Sequence, residues 1–304
     1  MPSISPPALS TGSNIKIIST ARAINPDELY FSYQILNSWF WQYTIGKTIG
    51  ERENQFAGSD EIRRQDLQEA LDDAEINCIL FARGGYGTVR ILDELSYEKI
   101  CRFPKWLVGY SDMTALFMDL YTKTGLPSLH APMPIGWEKN SADCLQEIKK
   151  ILEGGKMHYK MEPHPLNKLG YAEGILLGGN LSVIYSLLGS RSEPNWEQVI
   201  LFLEDIGEYL YHLDRMMMAL SRRGVLQKIV GLVIGRFSEM KDNTIPFGFS
   251  AEEIIAHHLK TISIPVVFQF SAGHIPHNLP LKMGVNTVLT VAPECVILRE
   301  NGLV

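Results

Sequence analysis

The sequence predicts an α/β protein with two parts: an N-terminal domain on a doubly wound, mostly parallel sheet, then a mixed, β-rich α/β domain. Three observations lead there. Across residues 14–122, short apolar runs end in small loops and give way to helical stretches. Repeated strand, loop and helix is the pattern of a parallel sheet covered on both faces. Near residue 160 the character changes: Pro163 and Pro165 interrupt residues 158–168, and more strand-like runs follow. A chain of 304 residues also suits two domains, or one large one. The expected division is a flexible leader over 1–13, one domain over 14–160 and a second over 161–304.

The elements follow in order. Residues 1–13 are rich in Pro and Ser and read as a loose leader. Residues 14–19 form a first buried strand, and 26–39 can be helical. Ser59, followed by Asp60 and Glu61, caps a helix whose Ile62, Leu67, Ala70 and Leu71 fall near one face. The run 77–82 is apolar throughout, as suits a strand buried on both sides. A Gly-rich loop at 83–87 leads to a helical stretch ending at Leu95. Residues 106–110 make the next strand and 112–122 the next helix. His130-Ala131-Pro132-Met133-Pro134 breaks the alternation, and 142–152 is helical again.

In the second half, strands are expected at 172–177, 199–204, 229–236, 265–270, 286–291 and 295–299. Helices are expected at 181–188, 209–222 and 251–260. Leu210, Leu213, Met217 and Leu220 recur at helical spacing, which marks Met216-Met217-Met218 as core filler.

Composition narrows the function classes. Hydrophobic residues are 45% and charged residues 20%, an ordinary globular balance. A net charge of −6 supplies no basic footprint for nucleic acid and no attraction to anionic lipid. Cys78, Cys101, Cys144 and Cys295 show no CxxC spacing, so reduced thiols are expected rather than a disulfide scaffold or zinc ribbon. The first residues lack the basic and apolar regions of a signal peptide. The longest apolar stretch, 229–235, is too short to span a bilayer. A soluble cytoplasmic protein without nucleic-acid or membrane partners is expected.

Gly109-Tyr110-Ser111-Asp112 follows an apolar strand and opens a helix. A serine at such a turn projects its hydroxyl from the sheet edge, beside free helix N–H groups that suit a developing oxyanion. The G-x-S-x-G elbow would need glycine at 113, where Met113 stands. Serine is also a preferred helix cap, and on these residues alone that role is the commoner one.

Arg83-Gly84-Gly85-Tyr86-Gly87 likewise joins strand to helix. A plain turn, a phosphate cradle and amides turned toward the Ser111 turn all fit, although neither common phosphate motif is matched. Glu204-Asp205 closes another apolar run and can orient a histidine. His274, beside Gly273 after a further apolar strand, is a general-base candidate. His274 and His277 make an H-x-x-H pair, but no third metal ligand stands at suitable spacing. Ser111, Glu204 and His274 are far apart in the chain, so only the fold can unite them as a Ser–His–acid hydrolase.

On these residues the sequence resembles the LD-carboxypeptidase family, which includes murein tetrapeptide carboxypeptidases and microcin-immunity peptidases. The likeness runs through Asn54-Gln55-Phe56-Ala57-Gly58-Ser59-Asp60, Arg63-Arg64-Gln65-Asp66-Leu67 and Ala82-Arg83-Gly84-Gly85-Tyr86-Gly87. It continues in Gly109-Tyr110-Ser111-Asp112-Met113-Thr114-Ala115-Leu116, Gly178-Gly179-Asn180-Leu181-Ser182, Leu203-Glu204-Asp205-Ile206-Gly207-Glu208 and Gly273-His274. The first strand departs from the family: Ser19-Thr20-Ala21 stands where an Ala-Pro-Ser-type turn is usual.

The resemblance implies a serine peptidase with Ser111 as nucleophile, Glu204 as acid and His274 as general base. It implies that the nucleophile lies on the N-terminal domain and the other two on the C-terminal domain. The backbone N–H groups of Gly85 and Asp112 would form the oxyanion hole. The implied substrate is a peptidoglycan tetrapeptide losing a C-terminal D-amino acid, D-Ala, during murein recycling. The implied state is a homodimer, with no cofactor and no metal. Arg83 is the candidate for the terminal carboxylate, with Tyr86 as a further substrate-binding residue. An immunity-type hydrolase of aminoacyl-nucleotide or peptide-nucleotide antibiotics is the alternative within the family. A non-catalytic α/β protein binding a small molecule is the alternative outside it. An α/β-hydrolase esterase is disfavoured by Met113.

Overall fold

The computed structural model describes residues 5–302. The chain forms two compact units. One runs up to Gly155 and includes Pro276–Met283; the other comprises Lys156–Ile275 and the chain from Gly284 onward. The division thus differs from a single boundary near residue 160, because residues 276–283 return to the first unit.

The first unit follows the strand–helix alternation. Its elements are β1 (Asn14–Ile18), α1 (Tyr30–Ser38), β2 (Gln42–Ile45), α2 (Asp60–Asp72) and β3 (Cys78–Phe81), then α3 (Glu98–Arg102), β4 (Trp106–Gly109), α4 (Met113–Thr124), β5 (Ser128–His130) and α5 (Ala142–Leu152). The sheet order is β5, β4, β3, β1, β2, all parallel. The returning strand Leu281–Met283 adds to β5 in the antiparallel sense. Strands β3 and β4 are buried at every position, as their unbroken apolar runs require. Ser59 Oγ accepts the Ile62 N–H at 3.2 Å and caps α2 as expected.

Residues 1–4 of the expected leader lie outside the described residues. Residues 5–13 are not loose. Leu9 is buried and its N–H donates to Leu152 O at 2.8 Å, while Trp106 Nε1 donates to Pro7 O at 3.1 Å. A Pro/Ser-rich composition is compatible with order once one leucine reaches the core and two hydrogen bonds fix the chain. Leu9 joins a core that includes Ile15, Ile17, Trp39, Trp41, Trp106, Val108 and Trp137.

The second unit contains β6 (His158–Met161), β7 (Gly170–Asn180), α6 (Leu181–Leu187), β8 (Val199–Ile206), α7 (Leu210–Arg222), α8 (Val225–Lys228) and β9 (Gly231–Ser238). Then come α9 (Ala251–His258) and β10 (Val266–Val267). Strand β11 is the segment Leu281–Met283 already assigned to the first unit; β12 (Asn286–Val291) and β13 (Val296–Glu300) complete the second. The sheet order is β10-β9-β8-β7-β12-β13-β6. Strands β10 to β7 run parallel, and β7, β12, β13 and β6 pair antiparallel. The mixed, β-rich character expected of this half is observed. Residues 158–168, read as a linker, begin with β6, because the disruptive Pro163 and Pro165 lie beyond its last residue. Met216 and Met217 are core residues, whereas Met218 is 45% exposed on the outer face of α7.

Candidate active site

In the first unit, β4 delivers the chain to Ser111. This serine has φ +63°, the left-handed region that non-glycine residues rarely adopt. Strain of this kind persists only where the surroundings enforce it, and it gathers at functional positions. A capping serine would have extended backbone and would bond to the first helical turn. Neither holds here: the residue preceding α4 is Asp112, with no side-chain cap bond. The Ser111 hydroxyl has no hydrogen-bond partner among the described residues of its unit. The local geometry therefore favours the exposed-hydroxyl turn over the cap.

The Gly-rich loop lies against this turn. A β-carbon on Gly84 would sit 3.3 Å from Ser111 Oγ and 3.1 Å from Met133 Cε. Gly85 (φ +120°) and Gly87 (φ +142°) occupy backbone regions that favour glycine. The Gly85 and Asp112 amides donate no hydrogen bond among the described residues. Arg83 is half-buried and gives Nη1 to Ala23 O at 3.0 Å, and Tyr86 is exposed with its ring 6.1 Å from Phe56.

Two buried charges hold the loop. Asp112 Oδ2 accepts the Thr88 N–H at 2.9 Å. Burial pushes the Asp112 carboxyl above its ordinary value, against hydrogen bonds from Thr88 and Gly87 and the charge of Arg63. Arg63, with a fully buried side chain, donates Nη1 to Gly87 O at 2.9 Å and to Thr20 O at 2.5 Å. It also pairs with Asp60. Sequence reading missed Arg63 because an arginine within α2 looks like an ordinary solvated helix residue.

In the second unit, Glu204 lies near the end of β8 and is completely buried. The pairing of β8 with β9 shifts register between Leu203 and Asp205, a bulge that re-aims the side chains there. Glu204 Oε2 lies 2.7 Å from His274 Nδ1. Its Oε1 is buried and without a hydrogen-bond partner among the described residues. Gly273 makes this approach possible: at φ +121°, a β-carbon there would stand 3.0 Å from Glu204 Oε2. The loop is anchored by Arg236 N–H to Ala272 O at 2.9 Å and by Ser238 Oγ to His274 O at 3.3 Å. Burial disfavours the imidazolium, but the Glu204 charge and hydrogen bond outweigh it, so the His274 pKa lies above its ordinary 6.5.

Asp205 turns to a different task. It accepts Asn180 Nδ2 and the Ser182 N–H, each at 2.8 Å. Burial, then the neighbouring Glu204 charge, raises its carboxyl to about 7. The two adjacent carboxylates seen in the sequence are thus divided: one on the histidine, one on the β7–α6 turn. His277 falls in the first unit, whereas His274 falls in the second. Its Nδ1 lies 2.9 Å from Ser141 Oγ in the first unit.

Comparison with known proteins identifies the lineage. Residues 15–131 match the LD-carboxypeptidase N-terminal domain and 173–289 the LD-carboxypeptidase C-terminal domain. The chain belongs to the LD-carboxypeptidase family. It is therefore a hydrolase of the serine-type carboxypeptidase class. The probable murein peptide carboxypeptidase of Bacillus subtilis is 30% identical over 97% of this chain and 94% of that protein. The crystal structure of muramoyltetrapeptide carboxypeptidase from Oxalobacter formigenes has a TM-score of 0.87 at 28% identity, covering 95% of this chain and 98% of the other. The microcin C7 self-immunity protein MccF, in a complex with aspartyl sulfamoyl adenosine, shares the fold at TM-score 0.86. It is 23% identical, with 98% of each chain covered. The two-domain α/β architecture read from the sequence is thus that of a known family.

Proposed function

We propose that the protein is a murein tetrapeptide LD-carboxypeptidase acting through Ser111, His274 and Glu204. His274 takes the proton from Ser111 Oγ as the oxygen attacks the carbonyl preceding a C-terminal D-Ala. Glu204 holds the imidazole by its Nδ1 and stabilises the imidazolium. The Gly85 and Asp112 amides donate to the oxyanion. His274 then returns the proton to the leaving amine, D-Ala departs and Ser111 carries the acyl group. Water, deprotonated by His274, releases the shortened peptide and restores the hydroxyl. This chemistry calls on no metal or cofactor. The scissile bond joins an L-centre, of diaminopimelate or lysine, to D-Ala. A cytoplasmic, homodimeric enzyme of murein recycling completes the reading.

The observation that carries it is the 2.7 Å contact between His274 and a fully buried Glu204. The left-handed Ser111 turn supports it from the other unit. The similarity to the Oxalobacter enzyme supports the substrate class. The test is incubation with a muropeptide tetrapeptide and mass spectrometry for lost D-Ala, beside a peptide ending in L-Ala. The expected result is loss of D-Ala alone, abolished by Ser111→Ala. Hydrolysis of an aminoacyl sulfamoyl nucleoside with no action on the tetrapeptide would overturn the reading in favour of an immunity-type hydrolase.

A further inference from the structure

We propose that Arg22 is the residue that recognises the substrate's terminal carboxylate and so makes this site a carboxypeptidase rather than an endopeptidase. The inference rests on the proposed function and names the group that reads the end of the peptide.

Arg22 lies directly after Ser19-Thr20-Ala21, just beyond the end of β1. Its backbone is pinned on several sides. Ser19 Oγ donates to Arg22 O at 2.8 Å, the Ala57 N–H donates to Ala21 O at 3.0 Å and the Ala23 N–H to Gln55 O at 2.9 Å. From this base the side chain runs across Gly85. A β-carbon at position 85 would lie 2.5 Å from Arg22 Cγ and 3.0 Å from its Nε. Gly85, at φ +120°, thus leaves room for the arginine to cross its backbone. Gly84, the next residue back, packs on the Ser111 side chain. Ser111, Gly84, Gly85 and Arg22 thus follow one another along a single surface of the first unit.

The nearby guanidinium groups are already committed. Arg63 is buried on carbonyl oxygens, Arg90 pairs with Asp60, and Arg83 gives Nη1 to Ala23 O. Arg22 is exposed, and its side chain makes no hydrogen bond or ion pair among the described residues. A planar fork of donors whose stem crosses Gly85, a candidate oxyanion residue, suits a carboxylate, which it can bind in bidentate fashion. In a carboxypeptidase that carboxylate stands one residue beyond the scissile carbonyl, so a cation adjoining the oxyanion loop is within the span of one amino acid. The same chemistry would fit the side-chain carboxylate of diaminopimelate; the terminal carboxylate is the assignment made here.

The test compares kcat/KM for a tetrapeptide ending in D-Ala with its D-alaninamide counterpart, each with diaminopimelate or lysine at the third position. For the wild type, the acid is expected to be preferred. Arg22→Gln should lower kcat/KM for the acid by roughly 10- to 100-fold, chiefly through KM, and bring the acid-to-amide ratio toward one. Arg22→Lys should recover part of the ratio. An equal fall on acid and amide would assign Arg22 a structural role and overturn the proposal. So would an unchanged ratio, a larger loss of ratio in Arg83→Ala, or a change that follows diaminopimelate against lysine rather than acid against amide. A wild type inert on every tetrapeptide overturns the functional reading itself, and this inference with it; the other outcomes leave that reading intact.

Discussion

His274 Nδ1 and Glu204 Oε2 stand 2.7 Å apart, with the carboxylate wholly buried and its other oxygen unpartnered among the described residues. A negative charge in that position favours the imidazolium, so the histidine titrates above 6.5. A general base works only when neutral. The acidic limb of kcat/KM should therefore lie above pH 6.5, with activity falling as pH drops through it. Glu204→Gln should move that limb downward and lower kcat by on the order of 1,000- to 10,000-fold. A limb that stays in place in Glu204→Gln would separate the titration from this pair.

Gly273 is required twice, by its φ of +121° and by the nearness of Glu204. Gly273→Ala should destabilise by about 1–3 kcal/mol through backbone strain. It should also displace His274, so that activity falls by more than the loss of folded protein explains. Thermal unfolding measured beside kcat/KM separates the two; equal proportional losses would contradict a positioning role.

Asp205 gives a pH dependence of stability. Its folded carboxyl titrates at about 7, above its ordinary 3.8. The folded state thus binds the proton more tightly than the unfolded chain. Its contribution is full below about pH 4 and is lost as pH rises toward 7. Asp205→Asn should lack this decline, so its unfolding free energy, relative to wild type, should improve between pH 5 and pH 8. Parallel curves would show that Asp205 is already ionised at the lower pH.

Arg63 and Asp112 hold the Gly-rich loop from opposite sides, through Gly87 O and Thr88 N–H. Removing the arginine takes the donor from the carbonyl oxygens of Gly58, Thr20 and Gly87, while Asp60 keeps Arg90 as its partner. Arg63→Ala should cost about 1–3 kcal/mol, the range for leaving a buried polar group unsatisfied, read by denaturant unfolding. A cost below 1 kcal/mol would mean that water replaces the guanidinium freely.

Much of this was legible in the sequence where one local signal dominated. The apolar runs of β3 and β4, the Ser59 cap and the helix at 142–152 each needed no distant partner to be recognised. Strands β2, β5 and β11 were not legible, being short and defined by what they pair with. The order of residues 5–13 was hidden for the same reason: Leu9 finds its place only beside α5. At the candidate site, Ser111, Glu204 and His274 each close or follow an apolar strand, which is where a parallel sheet presents functional groups. Arg63 and the Asp205–Asn180 bond carry no such marker, because their partners lie far away in the chain.

The central claim is that the Ser111 hydroxyl is a nucleophile activated by His274. Treating the protein with a fluorophosphonate and mapping the adduct by peptide mass spectrometry tests this most directly. The account predicts one adduct, on Ser111, whose formation slows by several orders of magnitude in His274→Ala. Absence of an adduct on Ser111, or equal labelling with and without the imidazole, would contradict it.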